Sequence, residues 1–395
     1  MGAMPNKRTL RAVREQRGLD IVDVASFTTI SPDRLQQFEE GEREPSRKQM
    51  ERLADTYGVP LYSLFNDAIP NLPPLPRDFR KSNPSPASLT ARGIKTLLSS
   101  ERISHFTRQL AIELNYKPAN LAPTAGNAKT HQKRAIELRN AFDLWLEPRA
   151  PALEFSGAPE QRFMSALRLY LEVQGAVVNV NDAPPDDCMG FFIEPDAGLP
   201  TIFVNRSVSS KKAQLFTLAH EYSHALLGAA GISNPFMPMN AIERMCNVFA
   251  AEFLAPMDAF SRIVEALPQS TRSEVARFVD AVAYRTLLSK HATGIRLLEG
   301  DYITPQKFGE WRRLFIANPR IEKEEEKEAS EGGAGGAPHA KRLGELGLLP
   351  VVLAKRGVDA RLIDSFDVVD GIGLSLTLQE RAYSLAARRF AVALS

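Results

Sequence analysis

Cysteine is nearly absent from this chain. Its 395 residues carry two, Cys188 and Cys246, which excludes a disulfide framework. No apolar run is long enough to cross a bilayer and no secretory pattern is visible, so no membrane association is expected and a cytoplasmic location is. Neither sign of charge dominates: 49 Lys and Arg stand against 47 Asp and Glu, a net charge of +2, so bulk charge selects no polyanionic or membrane partner. What the chain does have is 44% hydrophobic residues, enough to bury two or three cores.

The densest chemical signal is His220-Glu221-Tyr222-Ser223-His224, inside the run LFTLAHEYSHALLG. Two histidines four apart on a helix project from one face, so both rings can reach a single Zn²⁺. Glu221 stands beside the metal without having to bind it. It can take a proton from a water at the metal, as the general base of peptide hydrolysis. Apolar Leu215, Phe216, Leu218 and Ala219 precede the motif, Ala225, Leu226 and Leu227 follow it, and Gly228 is a stop signal. Burying three ionisable groups with no metal would be costly.

A second helix is predicted from Ala241 to Pro256, with Ile242, Met245, Phe249 and Phe253 as its apolar stripe. Catalytic zinc usually takes three protein ligands and leaves a position open. Glu243 and Glu252 are both candidates for the third, and spacing alone does not choose. Cys246, one turn beyond Glu243, reads most simply as a buried apolar cysteine, although its oxidation would disturb a metal site. Tyr222, Tyr284 and His291 are the candidates for stabilising an oxyanion.

The segments FTLAHEYSHALL and IERMCNVFAAEFLAP, with the strand hairpin read from GFFIEPDAGLPTIFVNRSVSSKKAQ, resemble the ImmA/IrrE metallopeptidases over residues 160–265. That resemblance implies a zincin-like domain with a small sheet and makes Glu243 the third ligand. It also suggests Asn247 as a donor steadying the site; an ordinary polar helix residue is the alternative. The implied substrates are helix-turn-helix repressors or antitoxin-like proteins.

The N-terminus holds a different pattern. Short helices read from Leu10 to Leu19, Ile21 to Thr28 after Asp20, Ser31-Pro32 to Glu39 and Ser46 to Tyr57, closed by residues up to Phe65. Ser31, Leu35, Phe38, Glu39, Gly41 and Pro45 resemble the Xre/Cro helix-turn-helix family, which implies a five-helix bundle. In that family the third helix enters the major groove, and its outward positions here are Pro32, Asp33, Arg34, Gln36 and Gln37. Arg34, Gln36 and Gln37 suit base edges. Ten basic residues are matched by ten acidic ones over residues 1–66, so docking on another protein stays open beside DNA binding. Residues 77–150 are more basic, thirteen against six, and offer a second nucleic-acid candidate or a solvated helix face.

The expected fold is mainly α, with α+β in the peptidase core. Its divisions are a helix-turn-helix domain at 7–66, a Pro/Ser-rich connector at 67–90 and a basic helical region at 91–155. A peptidase domain at 156–318, a charged and Gly-rich linker at 319–338 and a helical C-terminal region at 339–395 follow. Three functions fit: a site-specific Zn²⁺ protease acting on a repressor or antitoxin, an antitoxin-like DNA-binding regulator with a sensory zinc domain, and a self-cleaving regulator. All four catalytic residues are present, which favours the protease. A homodimer is a further expectation, since helix-turn-helix proteins often read symmetric sites.

Overall fold

The computed structural model describes residues 6–59, 61–66, 77–78, 85–86, 89–117, 128–194, 199–208, 210–233, 240–317 and 337–395. At the N-terminus α1 (Lys7–Gln16), α2 (Ile21–Thr28), α3 (Pro32–Glu40) and α4 (Arg47–Tyr57) are followed by a 3-10 turn, Leu61–Phe65. The expected five-helix bundle is therefore four α-helices closed by that turn. Its boundaries follow local chemistry. Asp20 and Ser46 form capping boxes with Asp23 and Gln49, and Gly41 and Gly58 end α3 and α4 at positive φ, where a side chain would be strained. Leu10, Val13, Leu35, Phe38 and Leu53 fill the interior.

Of the Pro/Ser-rich connector, only β1 (Arg77–Asp78), β2 (Ser85–Pro86) and residues 89–90 fall among the described residues; Phe79, Arg80 and Lys81 lie outside them. Then come α5 (Ala91–Glu113), α6 (Ala128–Leu146), α7 (Ala150–Leu153) and α8 (Pro159–Val173). The sheet adds β3 (Val177–Asn181), β4 (Gly190–Ile193), β5 (Thr201–Asn205) and β6 (Gly231–Ser233), in the order β2-β1-β6-β4-β5-β3. β4 runs antiparallel to both β5 and β6, and β3 lies parallel to β5. Alternation sends Val178, Val180, Phe192, Ile202 and Val204 into the largest core, while Phe191, Ile193, Phe203 and Ile232 pack with Leu97 of α5 on the other face.

Between the last two strands runs α9 (Lys211–Leu227), buried at every position from Ala213 to Leu226. It packs against α10 (Ala241–Leu254), which is backed by α6. α11 (Met257–Glu265), α12 (Gln269–Arg272), α13 (Val275–Arg285), α14 (Lys290–Glu299) and α15 (Pro305–Ala317) complete this part. The charged run at 322–328 lies outside the described residues. The C-terminal region is α16 (Pro338–Leu346), α17 (Leu348–Asp359), α18 (Ser365–Ile372) and α19 (Leu376–Leu394), and it shares a second core with α5, Val177 and Leu169. Among the described residues no helix is long and apolar enough to cross a membrane.

The helix α5 keeps Arg92, Lys95 and Arg108 exposed, as a solvated basic face would, and buries its other sides. Ile94 and Leu98 close the helix-turn-helix core, Leu97 packs under the sheet, and Ile103 and Leu110 join the C-terminal core. Its charges are drawn to the N-terminal domain: Glu101 meets Arg17 at 2.7 Å in a buried pair, and Arg102 meets Asp55 at 3.3 Å.

Candidate metal centre

The histidine helix starts at Ser210, whose side chain accepts from the Ala213 amide, and stops at Gly228 with φ 59°. Those caps fix its register, and the i, i+4 spacing then places His220 and His224 on one side of it. The facing helix α10 starts at Asn240, whose side chain accepts from the Glu243 amide at 3.0 Å, which brings Glu243 to the first turn. His220, Glu221, His224 and Glu243 are all fully buried.

Each imidazole is anchored through Nδ1. His220 Nδ1 is 2.9 Å from the Asn247 side-chain oxygen, and His224 Nδ1 is 3.0 Å from the Ala229 carbonyl. Both acceptors require an N–H on Nδ1, so both Nε2 atoms are left with lone pairs. Those lone pairs converge: the two Nε2 atoms are 3.1 Å apart, Glu243 Oε1 lies 3.1 Å from His224 Nε2, and Glu243 Oε2 lies 3.4 Å from His220 Nε2. Two donors about 2.05 Å from one ion at the tetrahedral angle stand about 3.3 Å apart. The Nε2–Nε2 distance is thus close to one edge of a tetrahedral ligand shell, with the Glu243 carboxylate lying beside both nitrogens. Two imidazoles that can present Nε2 and one carboxylate meeting at a buried point are a donor set that fits Zn²⁺.

The electrostatics carry the same sign. Burial raises the Glu243 carboxyl, but hydrogen bonds and charge from His220 and His224 overcome this and bring it down to about 2. Burial pulls His224 down, yet Cys246, Glu243 and Glu221 together raise it well above the ordinary histidine range. His220 is lowered, because burial outweighs Glu243 there. Burial pushes Glu221 up to about 8, with Glu243 adding to the rise and His224 opposing it. A centre with this many electron-pair donors favours a cation.

The structure brings together residues that the sequence left apart. Cys246, expected as an apolar filler, is buried, but its sulfur and one ring nitrogen of each histidine all lie within 4.8 Å of one another. Glu243 and Cys246, three apart, share the face of α10 turned toward the histidines, so the competitor to Glu243 as third ligand is Cys246. Glu252 does not compete. Nine residues from Glu243 is two and a half turns, which puts it on the opposite face. There it binds Arg296 at 2.5 Å and accepts from the Met257 amide at 2.9 Å.

Ser233, on β6, was not singled out from the sequence. Its hydroxyl lies 3.2 Å from His224 Nε2 and donates to Glu221 at 3.4 Å. Gly190 on β4 makes room for Glu221, since a Cβ there would meet Glu221 Oε1 at 2.8 Å and the Phe203 carbonyl at 2.9 Å. His131 on α6 braces the far side of the motif, with Nε2 2.7 Å from the Ser223 hydroxyl. The oxyanion candidates differ in their surroundings. Tyr222 packs edge-on against Phe249 and Phe253 in the core, Tyr284 is 86% exposed, and His291 stacks on Phe315.

In the N-terminal domain Arg34 and Gln36 are exposed and Gln37 is half-buried, on the outer side of α3, while Leu35 and Phe38 face inward. Gln36 is tied to Glu40 by a 2.8 Å hydrogen bond.

Comparison with known proteins agrees with this division. Residues 8–61 match the family profile of a helix-turn-helix domain, and residues 171–297 match that of the IrrE N-terminal-like domain, a peptidase family. The HTH-type transcriptional regulator DdrOP3 of Deinococcus deserti is 38% identical over 56 residues, 14% of this chain and 43% of that relative. The chain therefore spans less than half the length of that regulator. No solved structure gives a significant match. The chain thus joins a helix-turn-helix domain at residues 8–61 to an IrrE N-terminal-like, metallopeptidase-family domain at residues 171–297.

Proposed function

We propose that the protein is a Zn²⁺-dependent endopeptidase that cleaves a helix-turn-helix repressor or antitoxin-like partner and so controls transcription. The observation that carries this reading is the convergence of His220 Nε2, His224 Nε2 and the Glu243 carboxylate, with the two nitrogens 3.1 Å apart, one carboxylate oxygen 3.1 Å from His224, the other 3.4 Å from His220, and both Nδ1 atoms anchored outside the centre. His220, His224 and Glu243 would hold the ion. When bound, Zn²⁺ supplies Lewis-acid polarisation of the scissile carbonyl and lowers the pKa of water.

Glu221 is the proton carrier. Its Oε1 has no hydrogen-bond partner among the described residues, while Oε2 accepts from Ser233, so Oε1 is the oxygen free to take a proton from the attacking water. It then delivers that proton to the leaving amine. Ser233 orients the carboxylate, and Asn247 holds His220 in the tautomer that presents Nε2. The helix-turn-helix domain places the enzyme on DNA through Arg34, Gln36 and Gln37, or docks it on a partner of its own kind.

Co-expression with the products of neighbouring genes tests the reading. Wild type should clip a helix-turn-helix partner. Glu221→Gln should bind metal as well as wild type while cleaving at least about 10²-fold more slowly. Equal cleavage by both would rule out Glu221 as the base. Metal binding without cleavage of any neighbour, even with DNA present, would favour a DNA-binding regulator with a sensory metal site.

A further inference from the structure

Away from the histidine centre, three parts of the chain meet around a cavity of about 220 Å³. α5 contributes Arg92, Lys95 and Ser99, β3 contributes Asn179 and Asn181, and α16 contributes Arg342 and Glu345. The cavity shares no residue with the metal centre.

Asn179 is the informative member. Its neighbours Val178 and Val180 enter the peptidase core, so the period of the strand turns Asn179 the other way, toward α5 and α16. Val177, two residues before on that same face, packs in the apolar C-terminal core. Asn179 is only 3% exposed, yet neither its amide oxygen nor its amide nitrogen has a hydrogen-bond partner among the described residues. An amide buried at a position suited to valine, with donor and acceptor both unused, is costly unless something polar meets it.

The charges around it favour an anion. Arg92 and Lys95, the latter 4.0 Å from Asp55, line the cavity with Arg342, which is bound to the Ile372 and Gly373 carbonyls; the one acid there, Glu345, is held by Arg206 and Arg342, each at 2.9 Å. Arg92, Lys95 and Ser99 follow one another at i, i+3 and i+7, so they form a ridge along one side of α5. Two cations and a hydroxyl on one ridge suit a phosphate group, and an amide across the cleft suits a hydroxyl-bearing remainder. The volume is below that of cavities holding drug-sized ligands, about 300 Å³ upward, which selects a compound of a few carbons over a dinucleotide.

We propose that this cleft binds a small phosphate ester carrying hydroxyl groups, with Asn179 reading the hydroxyl end and Arg92 and Lys95 the phosphate. Such a ligand would bridge the helix that carries the N-terminal domain, the peptidase sheet and the C-terminal region. It is therefore placed to act as an effector joining all three.

Titration calorimetry and thermal unfolding of the full-length protein test this with glycerol 3-phosphate, inorganic phosphate and glycerol at matched ionic strength. Glycerol 3-phosphate should bind saturably and raise the unfolding midpoint by about 2–4 °C at saturating concentration. Inorganic phosphate should bind about tenfold more weakly, and glycerol not measurably. Asn179→Leu should reduce the ester to the affinity of inorganic phosphate. Lys95→Met, at a side chain 60% exposed and thus safe for folding, should weaken both anions about fivefold. No saturable binding to wild type would overturn the proposal and leave a water-filled crevice. Binding that neither substitution changes would overturn it as well, and so would ester binding no tighter than that of inorganic phosphate.

Discussion

At the scale of single residues, the motif was legible because helix geometry alone puts His220 and His224 on one face. What completes the site comes from strands outside the motif, and no helix spacing rule finds it. Ser233 reaches His224 from β6, and Gly190 leaves on β4 the space that Glu221 occupies. Cys246 was legible as a residue near the metal site but not as a possible ligand, because a lone buried cysteine has no signature of its own. The cramped position of Gly190 gives a prediction. In Gly190→Ala the new methyl would meet Thr217 Cγ2 at 2.5 Å, Glu221 Oε1 at 2.8 Å and the Phe203 carbonyl at 2.9 Å. The variant should lose about 1–3 kcal/mol of stability and most of its cleavage rate while keeping its metal. Denaturant titration and metal analysis of that one variant check this; full activity would show that Glu221 tolerates displacement.

At the scale of elements, periodicity gave the helices of the N-terminal domain and the pairing of β4 with β5, since caps and turns mark their ends. For α5 it gave the helix but not how much of it is buried, and the reason is specific. Ser104 and Thr107 on its inner side bond to backbone carbonyls, Ser104 to Leu199 at 2.8 Å and Thr107 to Ile103 at 2.6 Å, so polar residues are buried without unmet groups. A helix whose buried side is partly hydroxyl does not look amphipathic.

The junction between α8 and α17 has a titration consequence. Glu172 is fully buried, accepts from the Leu348 amide at the start of α17 and lies 3.5 Å from Arg168. Burial lifts its carboxyl to about 7, against the pull of Arg168. Below the unfolded value near 4.5 it is protonated in both states. Between there and about 7 the folded chain keeps a proton that the unfolded chain releases, so stability falls as pH rises through that window and levels off above it. The contribution is on the order of 3 kcal/mol. Glu172→Gln keeps the acceptor for Leu348 and should flatten this part of the profile, read as urea midpoints between pH 5 and 8. A variant that follows the wild-type slope would assign the slope to other groups.

At the scale of the whole molecule, composition showed room for more than one core but not which segments share one. The tail after residue 337, whose role the sequence left open, packs against α5 and β3, and α5 also packs against the helix-turn-helix domain. The Arg17–Glu101 pair lies at that second contact, where burial lowers Arg17 and raises Glu101, so each charge resists its surroundings and depends on the other. Removing one partner should therefore cost more than removing both. Arg17→Met alone should destabilise by about 3–5 kcal/mol, and Arg17→Met with Glu101→Leu should recover most of that. Limited proteolysis should show the N-terminal domain released first in the single variant. Additive losses would mean that the pair is not what joins the two parts.

The central claim is that Glu243, beside His220 and His224, completes a metal centre, and metal content measures it most directly. Wild type, Glu243→Ala, Cys246→Ala and Glu252→Gln would be purified from zinc-containing medium and analysed for metal, with circular dichroism to confirm folding. About one Zn²⁺ per chain is predicted for wild type, Cys246→Ala and Glu252→Gln, with loss in Glu243→Ala. Zinc retained by Glu243→Ala but lost from Cys246→Ala would contradict the account and assign the third ligand to the thiol.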